Sequence, residues 1–391
     1  MKNFLARVFA ALVASALFGL AAAHAQETVK IGIVGPFTGP FATAGQSFKQ
    51  GVEGYMALNG DKAGNTKVEV IYRDSGADAS VAKRQAEELI VKDKVRMLGG
   101  FYLTPEAAAT ASVVNQAKVP LFLGNISTPS VLRMSPLFVR MGQTINLPAE
   151  LGAAFARENG RSRGFVAVAD YLPGHNVEKA FSTKFEELGG KMVGTVRVPL
   201  DTADFAPIAE RIVSANPDVL EIFLPPGAAS VSFSKALAAR GLTQKVMIIG
   251  QGEAEDSDLH LFDDSIVGFM SIIYIDATSS NPENKAFSDW LVKTSGPNAR
   301  PNSFSIGMFD AMHLAYKMIR DNEGKPWNGE AAVKALPGYT FKSPRGDVTI
   351  DASRENIQNF YLREVVKGPD GVKRNRVIKT WPQVRPTPFS G

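Results

Sequence analysis

The chain has 391 residues, carries 43 Lys and Arg against 39 Asp and Glu for a formal charge of +4 at pH 7, and contains no cysteine. The missing cysteines exclude disulfides, thiol catalysis, thiolate metal sites and a lipid anchor on an N-terminal cysteine. The near-balanced charge, with no basic run, argues against a nucleic-acid partner.

Lys2 and Arg7 precede an apolar run from Val8 to Leu20, and Ala23-His24-Ala25 has the small-x-small form of a cleavage site. This pattern predicts a signal peptide over 1–25, a mature chain starting at Gln26 and a periplasmic location without a lipid anchor. The run is short for a membrane span, and no second long apolar stretch follows.

From there strands and helices alternate. Val29–Val34 reads as a buried strand, a glycine-rich loop follows at 35–45, and a helix covers about 46–58. Strands at 68–72, 95–99 and 119–123 are separated by helices at 79–92 and 105–117. A second series begins near Thr144, with helices at 149–159, 175–188 and 205–215 and strands at 164–169, 191–198, 219–224 and 246–249. The last third reads as helices at 283–295, 302–321 and 329–336, then strand-like pieces at 347–350 and 357–366 and a basic, Pro-rich end. Such alternation predicts an α/β fold of two Rossmann-like lobes, each a parallel sheet flanked by helices. Ligands of open α/β sheets sit at the carboxyl ends of strands, so the loops there should face one another across a cleft.

Two of those loops stand out. In LGGFYLTPEAAAT (98–110) an apolar strand ends in two glycines and two aromatics, and Thr104 then reads as the N-cap of a helix with Pro105 and Glu106 in its first turn. In LFLGNISTP (121–129) a second strand runs into Asn125, Ser127 and Thr128. Helix starts with free N–H groups and hydroxyls hold a carboxylate without a cationic side chain. Phe41, Phe101 and Tyr102 lie beside glycines and are expected at the cleft mouth, and Phe304, near a helix start, is a further pocket candidate. Tyr171 suits a hydrogen bond or a ring stack, and Glu253 reads as a buried acid needing a donor or a cation. There is no His pair at metal spacing, no G-x-S-x-G elbow and no G-x-G-x-x-G. Catalytic residues, metal ligands and cofactors are therefore not expected.

The order of VKIGIVGPFTGPFATAG, AEELIVKDKV, GGFYLTPEA, QAKVPLF, VADYLPGHNVEKAF, PDVLEIFLPPG, NSFSIGMFDAMHLAY and SPRGDVTID resembles the periplasmic solute-binding proteins of ABC importers, the leucine/isoleucine/valine-binding type. The resemblance spans essentially the whole mature chain. It implies two lobes joined by three hinge crossings, with 26–145 plus about 276–345 in lobe 1 and 146–275 plus about 346–391 in lobe 2. It further implies closure over one small carboxylate, delivery to an inner-membrane permease, and a monomer. By position, Thr104 meets the ligand carboxylate and Asn125 and Ser127 form the second contact loop. Tyr171 to Gly174, Pro226, Gly227, and Gln251 to Glu253 then supply the opposing lobe. Pro173 and the Pro226-Gly227 pair replace aromatics common in the amino-acid binders, and the acid falls at Glu253, one position late. DYLPGH and the PPG loop look more like a sub-branch for aromatic carboxylates such as hydroxybenzoates and cinnamates. A branched-chain or aliphatic amino acid is the other ligand expectation. A receptor for a signalling partner is an alternative role, and a secreted enzyme a remoter one.

Overall fold

The computed structural model describes residues 27–386; the expected signal peptide falls outside the described residues. The first stretch runs β1 (Thr28–Gly35), α1 (Ala42–Asn59), β2 (Lys62–Ala63), β3 (Thr66–Asp74), α2 (Ala79–Val91), β4 (Met97–Gly100), α3 (Thr104–Ala117), β5 (Leu121–Leu123) and β6 (Phe138–Arg140). The second runs α4 (Asn146–Glu158), β7 (Arg163–Ala169), α5 (Leu172–Glu187), β8 (Lys191–Val198), α6 (Ala206–Ala215), β9 (Val219–Phe223), α7 (Ala228–Ala238), α8 (Leu242–Lys245), β10 (Met247–Gly250) and β11 (Met270–Ile273). The chain closes with α9 (Pro282–Ser295), α10 (Ser303–Asp321), α11 (Gly329–Lys334), β12 (Thr340–Ser343), β13 (Gly346–Ile350), β14 (Asn356–Lys367) and β15 (Lys373–Val384).

Two sheets result. The first has the order β2-β3-β1-β4-β5-β6, and the second β12-β13-β14-β11-β10-β9-β7-β8, with β15 paired to β14. From β1 to β6 all pairs are parallel except the β2–β3 corner. The second sheet is parallel from β7 to β11 and antiparallel beyond, where β14 pairs with β11. Central strands such as β1 and β7 are almost wholly buried, which is why they read as continuous apolar runs rather than alternating ones.

The chain passes between these halves three times, between Arg140 and Asn146, between Ile273 and Pro282, and between Lys334 and Thr340. In the second passage it returns α9 and α10 to α1. The α1–α10 approach needs Gly51, where a Cβ would stand 2.1 Å from the Ser305 carbonyl oxygen.

The passages are tied by buried polar groups. Arg140, fully buried, donates from Nε to Glu355 (2.7 Å) and from its two terminal nitrogens to the carbonyls of Ile126 and Thr128. Asn356 Nδ2 donates to the Arg140 and Gly142 carbonyls, and Gln358 Nε2 also reaches Gly142. Arg345 pairs with Asp310 of α10 at 2.7 Å, and both side chains are shut from solvent. Buried charges survive only when paired in this way.

Candidate ligand-binding site

A cavity of about 110 Å³ lies where the carboxyl ends of the two sheets face each other. Cavities of roughly this size hold a single small ring. Its wall takes Tyr102, Leu103, Thr104, Asn125, Ile126, Ser127, Gln143 and Ile145 from the loops after β4, β5 and β6. Tyr171, Pro173, Phe223 to Pro226, Gln251 to Glu253 and Glu255 come from the loops after β7, β9 and β10. Ile273 and Tyr274 at the end of β11, with Ser303 and Phe304 opening α10, complete it.

The β4 loop is shaped by its backbone. Gly100 has φ of 99°, and a Cβ there would come within 2.2 Å of the Val34 carbonyl oxygen. Phe101 follows with φ of 61° and its N–H on that same carbonyl at 2.8 Å. This turn sends the Phe101 ring into the core around Val34, Leu98 and Ala107, while Tyr102 reaches the cavity. Leu103, not Thr104, is the N-cap of α3. The Glu106 carboxylate accepts the N–H groups of Leu103 (2.7 Å) and Tyr102 (3.0 Å), so an acid reaching back does the capping expected of the threonine. Thr104 is thereby released, and its hydroxyl meets that of Thr128 at 2.7 Å, joining the β4 and β5 loops. The predicted second helix start is a 3-10 turn over Pro129–Arg133, just beyond Ser127.

The wall is aromatic on both sides. Tyr102 lies 5.7 Å from Phe304, and Tyr171 stacks on Phe223 at 6.0 Å and 14°. Burial pushes the Tyr102 phenol up to about 12, helped by Glu106, and raises Tyr171 further, so both remain neutral donors near neutrality.

Among the described residues no Lys, Arg or His lines the wall, and besides the phenols its ionisable groups are carboxyls. Glu253 accepts Leu224 N (3.1 Å), Gln251 N (2.7 Å) and Gly252 N (3.1 Å), binding the β9 and β10 loops together. Glu255 accepts Ser303 N (2.8 Å) and the Ser303 hydroxyl (2.6 Å) across the cleft base. Burial pushes both carboxyls up to about 7, in each case against the downward pull of these donors. Behind them Glu221, fully buried, accepts Gln251 Nε2 at 2.8 Å and is raised well above the usual range by the same loss of solvent.

Of the residues singled out from sequence, Tyr102, Thr104, Asn125, Ser127, Tyr171, Pro226, Gln251, Glu253 and Phe304 line this one cavity. Phe41 stands behind Tyr102, their rings 5.0 Å apart, and is not on the wall. Phe101 is in the core for the backbone reason above. Gly227 caps α7 with φ of 102° and also lies off the wall, leaving Pro226 to face it. Gln143, Ile145, Phe223, Tyr274, Glu255 and Ser303 were missed. Phe223 closes a strand and reads as core, while Gln143 and Tyr274 belong to the passages between sheets, where no periodicity marks them. Ser303 next to Asn302 did carry a helix-start signal.

Two lobes of parallel sheet, strand ends facing across a cavity lined by rings and a few polar groups, define a protein that encloses a small molecule. A family model for periplasmic binding proteins matches residues 28–370, and the chain belongs to that family. It is 39% identical over 376 residues to Leu/Ile/Val-binding protein homolog 6 of Brucella melitensis biotype 1, covering 95% of this chain and 96% of that one. An ABC transporter solute-binding protein of R. palustris in complex with 4-hydroxybenzoate matches with TM-score 0.86 and 37% identity, over 92% of this chain and 98% of that one. A solute-binding protein of Rhodopseudomonas palustris BisB5, in complex with 3,4-dihydroxybenzoic acid, matches with TM-score 0.86 at 32% identity, over 92% and 98%. The chain is thus a solute-binding protein, of a family that binds substrates rather than converting them.

Proposed function

We propose that this chain is the substrate-binding component of an ABC importer that captures an aromatic carboxylate of the hydroxybenzoate or cinnamate type. The carrying observation is the wall itself: Tyr102, Phe304, Tyr171 and Phe223 form ring surfaces on both sides, and the β4 and β5 loops add the uncharged hydroxyl and amide groups of Thr104, Ser127 and Asn125. A planar ring fits between such surfaces, and its carboxylate meets the hydroxyls and the Asn125 amide of the β4 and β5 loops. The two R. palustris proteins bound to hydroxylated benzoates support the same ligand class.

The amino-acid reading has two observations on its side, the name of the Leu/Ile/Val-binding protein homolog and the acid at Glu253. That carboxylate already receives three backbone N–H groups, which leaves it a poor partner for an ammonium. Lobe closure would bury the ligand and favour the closed population, the form a permease would recognise. The lobe division given above belongs to this proposal. Sheet membership supports it in outline, except that β12 is hydrogen-bonded through β13 to the second sheet, which draws the last boundary back from about 345 to before Thr340. Secretion by a cleaved leader, a monomeric state and binding without turnover belong to the proposal as well.

The test is thermal shift of residues 26–391 against hydroxybenzoates, cinnamates, dicarboxylates and aliphatic amino acids. Ligand at about a hundred times its Kd adds roughly 2.7 kcal/mol. A rise with aromatic acids, lost in a folded Thr104→Ala/Ser127→Ala double variant, is the expected result. A rise with leucine or its relatives alone replaces the proposal with the amino-acid reading.

A further inference from the structure

We propose that capture of a carboxylate ligand takes up a proton, that Glu255 holds it, and that the Ser303 hydroxyl reverses from donor to acceptor as it arrives. The inference rests on the carboxylate reading given above. A carboxylate entering this cavity meets Glu253 and Glu255, each 5% exposed, with no Lys, Arg or His among the described residues of the wall to offset them. Like charges gathered in a desolvated space do not all remain ionised, and a proton taken from solvent relieves the repulsion.

The geometry selects where it goes. Both Glu253 oxygens face backbone N–H groups, which donate only, so a proton there opposes a donor. Glu255 differs: Oε2 keeps the Ser303 N–H, while Oε1 faces a hydroxyl that either gives or accepts. Protonation at Oε1 therefore preserves both hydrogen bonds and removes one negative charge.

Among the described residues, the counter-charge that Glu255 feels comes from an arginine already engaged elsewhere. Arg363 of β14 favours its ionised form but is committed to Asp256 at 3.3 Å and Ser271 at 3.1 Å. Asp258 on the same loop opposes ionisation, and Tyr274 presents a neutral phenol whose ring is covered by Arg345 at 4.8 Å. With Glu255 already pushed up to about 7, the added ligand charge moves it through neutrality. The bound state then holds more protons than the free one, so affinity falls as pH rises.

Calorimetric titration of the wild type with 4-hydroxybenzoate, in phosphate and in Tris at about pH 7.5, counts the proton directly from the difference in heat. The expected result is net uptake, with affinity falling by up to about tenfold per pH unit above neutrality. In Glu255→Gln the uptake disappears and affinity becomes flat with pH. Binding with identical heats in both buffers overturns the inference and leaves the carboxylate reading standing. Uptake that persists in Glu255→Gln overturns the assignment to Glu255. No binding of 4-hydroxybenzoate or of the other carboxylates at any pH overturns both.

Discussion

Replacing Arg140 by Met removes the buried cation that holds the first passage between the lobes to the β5 contact loop. The wild-type guanidinium serves Glu355 and the carbonyls of Ile126 and Thr128, and the Glu355 side chain is only 10% exposed. Breaking a buried pair from one side costs about 3–5 kcal/mol, because the remaining charge is stranded. The two carbonyls add a smaller, partly overlapping loss of about 1–3 kcal/mol each if water cannot reach them. A destabilisation of at least about 4 kcal/mol is expected, read as a lower urea midpoint by tryptophan fluorescence. Adding Glu355→Gln to that variant should recover about 1–2 kcal/mol, since a neutral amide tolerates burial better than a lone carboxylate. A single variant within about 1 kcal/mol of wild type, or a double variant no better than the single, would refute the claim that this ion pair is a paired and costly element of the joint.

Gly51→Ala should cost at least about 2 kcal/mol, because the new Cβ meets backbone at Ser305 and Phe309 rather than a side chain that can turn aside; thermal unfolding tests this, and an unchanged Tm counts against the close α1–α10 contact. Glu253→Gln should lower stability by about 1–3 kcal/mol, because one face of the amide presents N–H to backbone donors; amide exchange at Leu224 and Gln251 should quicken with it. His313 is half-buried against Phe341 (4.7 Å between rings), and its pKa is lowered to about 4 by loss of solvent, with Arg320 and Lys317 adding to the effect. A depressed histidine leaves the native state with fewer protons than the unfolded one, so its contribution is lost as pH falls from about 6.5 towards 4. His313→Gln, less stable at neutral pH, should therefore close on wild type by up to about 3 kcal/mol across that window; a constant gap in urea midpoints would contradict the shift.

Much of the scaffold was legible because buried parallel strands are written as apolar runs and their flanking helices as 3.6-residue patterns. The strand at 191–198 coincides with β8 to the residue, and α2 and α9 begin or end within a residue of expectation. β15 was unreadable for the converse reason: it is an outer strand with Arg374, Arg376 and Ile378 exposed and Pro382 near its end, so no apolar alternation marks it. At the site, the loops were legible and the side chains only partly so. Phe101 and Tyr102 are adjacent aromatics, and which one faces the cavity depends on the sign of φ at Phe101, a property of the packed turn. Thr104 carried the signal of a cap, yet Glu106 does the capping, since its longer side chain reaches the two N–H groups ahead of the helix. Glu253 was recognised as an acid needing donors, but that the donors are its neighbours' backbone groups depends on the β9 and β10 loops lying side by side.

The first sheet has all its strands by Arg140 but lacks a covering helix, and the second lacks strands as well. α1 waits for α10, some 250 residues later, and β11 has an open edge until β14 arrives near the carboxyl end. During synthesis, most of the chain therefore exists before either half can close its core. Folding dominated by such long-range closures is slow, since loop entropy is spent before contacts repay it. The nascent chain has a long interval in which it is extended and available to chaperones, and a truncation within the last strands should strand the second half in that state while the first half folds.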